Sequence, residues 1–132
     1  MTFIPCSSTD TTRTNEAIIC MGANSPDAAA QLRRAFALLV TLGTVCRCTR
    51  PYPTAPEKVQ TVHPYTNQII VLRTPLTHAA LLAACKTYET HHRHHAPADT
   101  VAIDIDIVVF NGAILRPSDY AATYFRQGLA TL

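Results

Sequence analysis

The stretch Ile103-Asp104-Ile105-Asp106-Ile107-Val108-Val109-Phe110 constrains the fold of this chain more than any other. Isoleucine and aspartate alternate through its first half, and a β-strand, which turns successive side chains to opposite faces, sorts them onto separate sides. Ile103, Ile105, Ile107 and Val109 are expected on the buried, helix-covered face, with Asp104, Asp106, Val108 and Phe110 on the other. The two aspartate Cα atoms then lie about 6–7 Å apart, twice the rise per residue. Carboxylates at that spacing can converge on one magnesium ion or bridge two, leaving other ligand positions to water and phosphate. The plainer alternative is a strand whose wet side is polar. Strands are depleted in aspartate, however, and like charges two residues apart repel unless a cation sits between them.

Other elements follow from periodicity and punctuation. Residues 1–15 are rich in Ser and Thr without a period and are expected to be a mobile tail. Ala17 to Met21 reads as a buried strand ended by Gly22. Ser25, Pro26 and Asp27 then suit an N-cap, a first helical position and the helix dipole. Leu32, Ala35, Phe36 and Leu39 form that helix's buried stripe, with Gln31 and Arg34 off it and Gly43 as its stop. Strands are expected at Thr44 to Thr49 and Tyr65 to Arg73, separated by a long loop in which Pro51, Pro53 and Pro56 exclude ladder structure. Thr77 opens a second helix with the stripe Leu81, Ala84, Cys85 and Tyr88, which Pro97 must end. The acidic strand follows, then an Asn111-Gly112 turn and a short helix from about Ser118. The order β-α-β-β-α-β is the ferredoxin-like pattern of the α+β class, an antiparallel sheet with both helices on one face. Its other face is expected to be free for ligands or loops.

Composition narrows the function classes. With 132 residues and 48% apolar side chains the chain suits a single globular domain. A net charge of +2 gives no reason to expect nucleic acid or an anionic membrane as partner. No apolar run approaches the roughly 20 residues of a membrane span, and no signal peptide is visible, so a cytoplasmic protein is expected. The five cysteines, Cys6, Cys20, Cys46, Cys48 and Cys85, are expected to be reduced and mostly buried.

Three segments, in order, resemble the 6-hydroxymethyl-7,8-dihydropterin pyrophosphokinases of folate biosynthesis. Ile19-Cys20-Met21-Gly22-Ala23-Asn24 is similar to that family's opening strand and Gly-Ser-Asn turn. Tyr65-Thr66-Asn67 resembles its Tyr-Leu-Asn segment, and Asp104-Ile105-Asp106-Ile107 its Asp-Leu-Asp-Ile strand. The resemblance covers roughly residues 17–129 and makes residues 16–132 one pyrophosphokinase-like domain, a monomer or weak dimer. It implies magnesium-dependent transfer of pyrophosphate from ATP to the pterin hydroxymethyl group. Asp104 and Asp106 would hold two magnesium ions; Gly22, Tyr65, Asn67 and Tyr124 or Phe125 would receive the pterin; Lys86, Glu89, Arg93 and His94 would meet ATP.

The chain also departs from the family. Thr100-Val101-Ala102 stands where the family carries Pro-Arg-Thr, so Val101 replaces a phosphate-binding arginine. Tryptophan is absent, the preceding loop offers only Arg93 among four histidines, and family members continue beyond the position of Leu132. Neutral histidine cannot grip phosphate bidentately as arginine does. Two alternatives therefore stand beside the enzyme: a degenerate paralogue that binds nucleotide or pterin with little turnover, and a ferredoxin-like module taking up metal through His91 and His95.

Overall fold

A computed structural model describes residues 14–54, 64–93 and 100–132. The expected mobile tail falls almost entirely outside these residues, as do His94, His95 and part of the proline-rich segment. Strand β1 (Asn15–Ala23) leads to helix α1 (Ala28–Leu42), then β2 (Thr44–Cys48), β3 (Tyr52–Thr54) and β4 (Tyr65–Thr74). Helix α2 (His78–His92), β5 (Asp104–Phe110), β6 (Ala113–Ile114), α3 (Pro117–Ala121) and α4 (Thr123–Leu129) complete the order. All the strand pairings are antiparallel, and the sheet runs β2-β4-β1-β5-β6 with β3 also on β4. This is the expected ferredoxin-like α+β arrangement, with β1 between β4 and β5.

Both long helices pack on one face. Leu32, Ala35 and Leu39 of α1 and Leu81 and Cys85 of α2 meet Ile19, Met21, Ile70, Leu72, Ile105 and Ile107 in the main core. Thr77 caps α2, its Oγ1 accepting from the Ala80 N–H at 3.2 Å. α1 begins differently from the expectation. Ser25 does not cap it; the Ser25 hydroxyl donates to Asp27 at 2.7 Å and Asp27 takes the N-cap position. Gln31, expected off the buried stripe, is buried because its amide reaches back to the same Asp27 carboxylate.

The other sheet face is not free. Ile18, Cys20, Ile69, Val71, Val108 and Val109 form a second core there beneath Phe125 of α4, with Tyr120, Tyr124 and Leu129 at its margin. The C-terminal helices thus cover the apolar half of this face. Val109 lies on it, contrary to the strict alternation, because the pairing slips: Ile18 faces Val109 but Ile19 faces Ile107. Val108 is the extra residue of a β-bulge, and Phe110 is thrown to the helix side.

The proline-rich segment supplies a further correction. Tyr52-Pro53-Thr54 pairs with Asn67, Thr66 and Tyr65, continuing the edge of β4 that β2 occupies lower down. Pro53 is tolerated because β3 is an edge strand, where one outward position needs no donor. The cysteines divide: Cys20 and Cys85 are free and buried as expected, whereas Cys48 is free and exposed and Cys46 is disulfide-bonded.

Gly128 is where α4 meets the sheet. A Cβ there would lie 2.2 Å from the Tyr52 hydroxyl and 2.6 Å from Ile69 Cδ1. Gly128→Ala should therefore lower the stability measured by urea unfolding by about 1–3 kcal/mol, the usual range for overpacking. An unchanged midpoint would mean that α4 does not dock this closely.

Candidate functional site

Register across the three central strands assembles the site. Gly22 of β1 faces Asn67 of β4 on one side and Asp104 of β5 on the other. One step along, Cys20 faces Ile69 and Asp106. Residues directly opposite share a face, so Asn67, Gly22, Asp104 and Asp106 lie on the side away from α1 and α2. They form the polar continuation of the apolar patch under α4.

Gly22 is required by close approach. A Cβ there would meet Asn67 Oδ1 at 2.7 Å, and the Tyr65 ring lies 3.7 Å from the same point. The missing side chain lets the Asn67 amide lie over the strand. Asn67 is buried, and its Nδ2 donates to Thr54 Oγ1 at 2.5 Å. β3 therefore orients this amide, and the expectation of an unstructured loop had hidden that role.

The acidic pair sits beside a strand edge. β6 covers only Val109 and Phe110, so among the described residues no strand pairs with the outer edge of β5 nearer its start. Ile105 turns its backbone outward, and α2 closes it: Glu89 accepts from the Ile105 N–H at 2.5 Å and Lys86 reaches the Ile105 carbonyl at 3.5 Å. Side chains that close a strand edge in this way also prevent edge-to-edge pairing. Lys86 is also paired with Glu89 at 3.0 Å and lies 3.6 Å from Asp106 Oδ1, reaching round the edge of the sheet.

A second cation was not foreseen. Arg116 Nη2 lies 3.8 Å from the same Asp106 oxygen, and its Nε pairs with Asp119. Asp119 accepts in turn from the Tyr124 hydroxyl at 2.5 Å. The sequence signal was the Arg116–Asp119 spacing of three residues at the start of a short helix, which resembles any surface pair.

Asp104 carries the electrostatic stress. Its outer edge is exposed, but the protein beneath it desolvates the carboxyl, and Asp106 and Glu89 add like charge; together they raise its pKa to about 6. Burial also raises that of Asp106, opposed by Arg116 and Lys86. Desolvated carboxyl oxygens crowded by like charge are what a hard divalent cation relieves. The two carboxylates fit magnesium that keeps water and phosphate as its other ligands. Among the described residues no three His, Cys, Asp or Glu side chains gather as a closed metal site.

The remaining candidates fall as follows. Tyr65 is half-buried beside Gly22, and burial and then Asp104 raise its pKa. Phe125 is fully buried in the second core and offers no ring face to a ligand. Tyr124 is half-buried, with its hydroxyl on Asp119 and its carbonyl accepting from Tyr52 at 2.7 Å. These two bonds join α4 to α3 and β3. Arg93 caps the C-terminus of α2, exposed; His91 is exposed, and His92 stacks on Tyr88 with ring centroids 3.9 Å apart. His94 lies outside the described residues. Val101 is held by its backbone, exchanging hydrogen bonds with Asn24 at 3.0 and 2.5 Å, so Asn24 fastens the entry of β5 to the end of β1.

Residues 18–130 match the family model of the 7,8-dihydro-6-hydroxymethylpterin-pyrophosphokinases (HPPK). The chain belongs to this family. Its structure is similar to the crystal structure of Plasmodium falciparum HPPK-DHPS wild type with pteroate, with a TM-score of 0.59 at 16% identity. That likeness, which shows the fold alone, covers 79% of this chain and 30% of the other. No curated protein matches significantly. No described helix is long and apolar enough to cross a membrane.

Asp104 has a consequence for stability. Its pKa of about 6 in the folded chain exceeds the ordinary 3.8, so the folded state binds more protons between those values. Stability then falls as pH rises from about 4 to about 6, and the penalty is complete above that. Asp104→Asn should melt higher than the parent at pH 7, with the difference gone near pH 4. A difference independent of pH would contradict this electrostatic account.

Proposed function

We propose that this chain transfers pyrophosphate from ATP to 6-hydroxymethyl-7,8-dihydropterin, with magnesium. The observation that carries the reading is the row Asn67, Gly22 and Asp104 across three paired strands, with Asp106 beside it. An amide that can both donate and accept lies over the glycine, beside the Tyr65 ring, and the same row of residues continues to two carboxylates. A flat heterocycle with amide-like edges fits the first part, and a hydroxymethyl group extending from it reaches the second.

The residues divide the work. Asn67, held by Thr54, reads the ring edge, and Tyr65 supplies an aromatic wall. Asp104 and Asp106 would hold magnesium, which would supply positive charge to the phosphates of ATP. Phosphoryl transfer needs little covalent help from the protein, so positioning and charge carry the catalysis. Glu89 acts indirectly, fixing β5 through Ile105 and directing Lys86 at Asp106. ATP and a pterin are the expected partners, at a cytoplasmic location.

Purified protein given ATP, magnesium and the hydroxymethyldihydropterin should release AMP, and Asp104→Ala should reduce that rate about a hundredfold or more, because the charge stabilisation a held metal supplies is worth several kcal/mol. Equal AMP release by parent and variant would refute the enzyme. Pterin or ATP binding without AMP release would instead support the degenerate paralogue.

A further inference from the structure

A triphosphate needs cations, and the position where the resemblance expects an arginine holds Val101, its backbone fastened to Asn24. Of the two cations that reach Asp106 among the described residues, Lys86 is already committed. It donates to both Glu89 oxygens at 3.2 and 3.0 Å and lies 3.5 Å from the Ile105 carbonyl. Arg116 is as exposed as Lys86, with 48% of its side chain accessible against 45%, and differs in the donors it has to spare. Its Nε is taken by Asp119, which leaves N–H groups on both terminal nitrogens. One of them, Nη2, lies 3.8 Å from Asp106, itself half of the acidic pair.

Arg116 is also held from behind by a continuous series of bonds. Asp119 accepts from Tyr124, the Tyr124 carbonyl accepts from Tyr52, and the Tyr52 hydroxyl rests against Gly128. The guanidinium therefore loses little freedom when it takes a ligand. An exposed ion pair of this kind contributes little to stability, so folding does not require Arg116 to be so elaborately held. Preorganisation of a permanently charged, fork-shaped donor beside two carboxylates does.

We propose that Arg116 receives the anionic phosphates of the nucleotide, supplying the charge that Val101 cannot, with Asp119 and Tyr124 as its positioning residues. The inference rests on the pyrophosphokinase reading of the site. It takes over no arginine from the family motif: the assignment follows from the position of Arg116 beside Asp106.

The test is calorimetric titration of the full chain with magnesium and α,β-methylene-ATP, an analogue that cannot be cleaved. Arg116→Met should weaken binding about 10- to 100-fold, the loss of one charge-assisted, two-pronged contact. Arg116→Lys should recover part of that loss, and Tyr124→Phe should weaken binding about threefold with an unchanged preference for magnesium. Methylguanidinium added to Arg116→Ala should restore part of the binding, a rescue that a purely structural arginine would not show. Binding by Arg116→Met within twofold of the parent overturns the inference and leaves the enzyme reading intact. So does lost binding that follows a lowered melting temperature and resists methylguanidinium. A parent chain that neither binds the analogue nor releases AMP overturns both.

Discussion

β1 is paired along both edges, and everything distinctive about this molecule depends on that pairing. A strand held by β4 and β5 together cannot slip by one residue without turning its whole apolar set to the wrong face. Ala17, Ile19 and Met21 are committed to the helix side, Ile18 and Cys20 to the C-terminal helices. Gly22 then falls on the second face by necessity, opposite Asn67 and Asp104. The hydrophobic pattern of one strand thereby sets the positions of side chains on two others. The core and the site are specified by the same register.

The second face shows how one surface can be both packed and reactive. Phe125 and its neighbours cover the part built from Ile18, Cys20, Ile69 and Val71. Beyond their margin the residue types change to Asn67, Gly22, Asp104 and Asp106. α3 and α4 thus do two things: they bury apolar surface and they bring Arg116, Asp119 and Tyr124 to the boundary. α2 does the same from the opposite side, burying Leu81 and Cys85 while Lys86 and Glu89 reach round the outer edge of β5. Both carboxyls are stressed first by burial, and Asp104 also by the like charge of Asp106 and Glu89. Such an arrangement, unfavourable for stability, is common where charge must be placed for function.

Much of this was legible in the sequence because it depends on period and punctuation. The isoleucine–aspartate alternation located β5 and put Asp104 and Asp106 on one face; the apolar stripes located α1 and α2. What failed depended on contacts between distant segments. The bulge that carries Val109 to the second face is a matter of registry with Ile18 and Ile19, which no local pattern encodes. Pro53 argues against a strand at Tyr52-Pro53-Thr54, which pairs because β4 offers an open edge. The sheet face expected to be free is covered because residues 117–129 bring Phe125 back across it, where an aromatic had been expected to meet the pterin. Arg116 was missed for the same reason: its meaning comes from Asp106, ten residues away in sequence and adjacent only once β5 and α3 are placed.

The central claim is that the polar strip beside the second core is one composite substrate site. A crystal structure with magnesium, α,β-methylene-ATP and 6-hydroxymethylpterin tests it most directly. The account predicts metal density on the Asp104 and Asp106 carboxylates and the pterin ring beside Tyr65, within hydrogen-bond reach of Asn67. Ligands lodged instead in the groove lined by Cys48, Arg50, Tyr52 and Thr131, with the two aspartates bare, would contradict it.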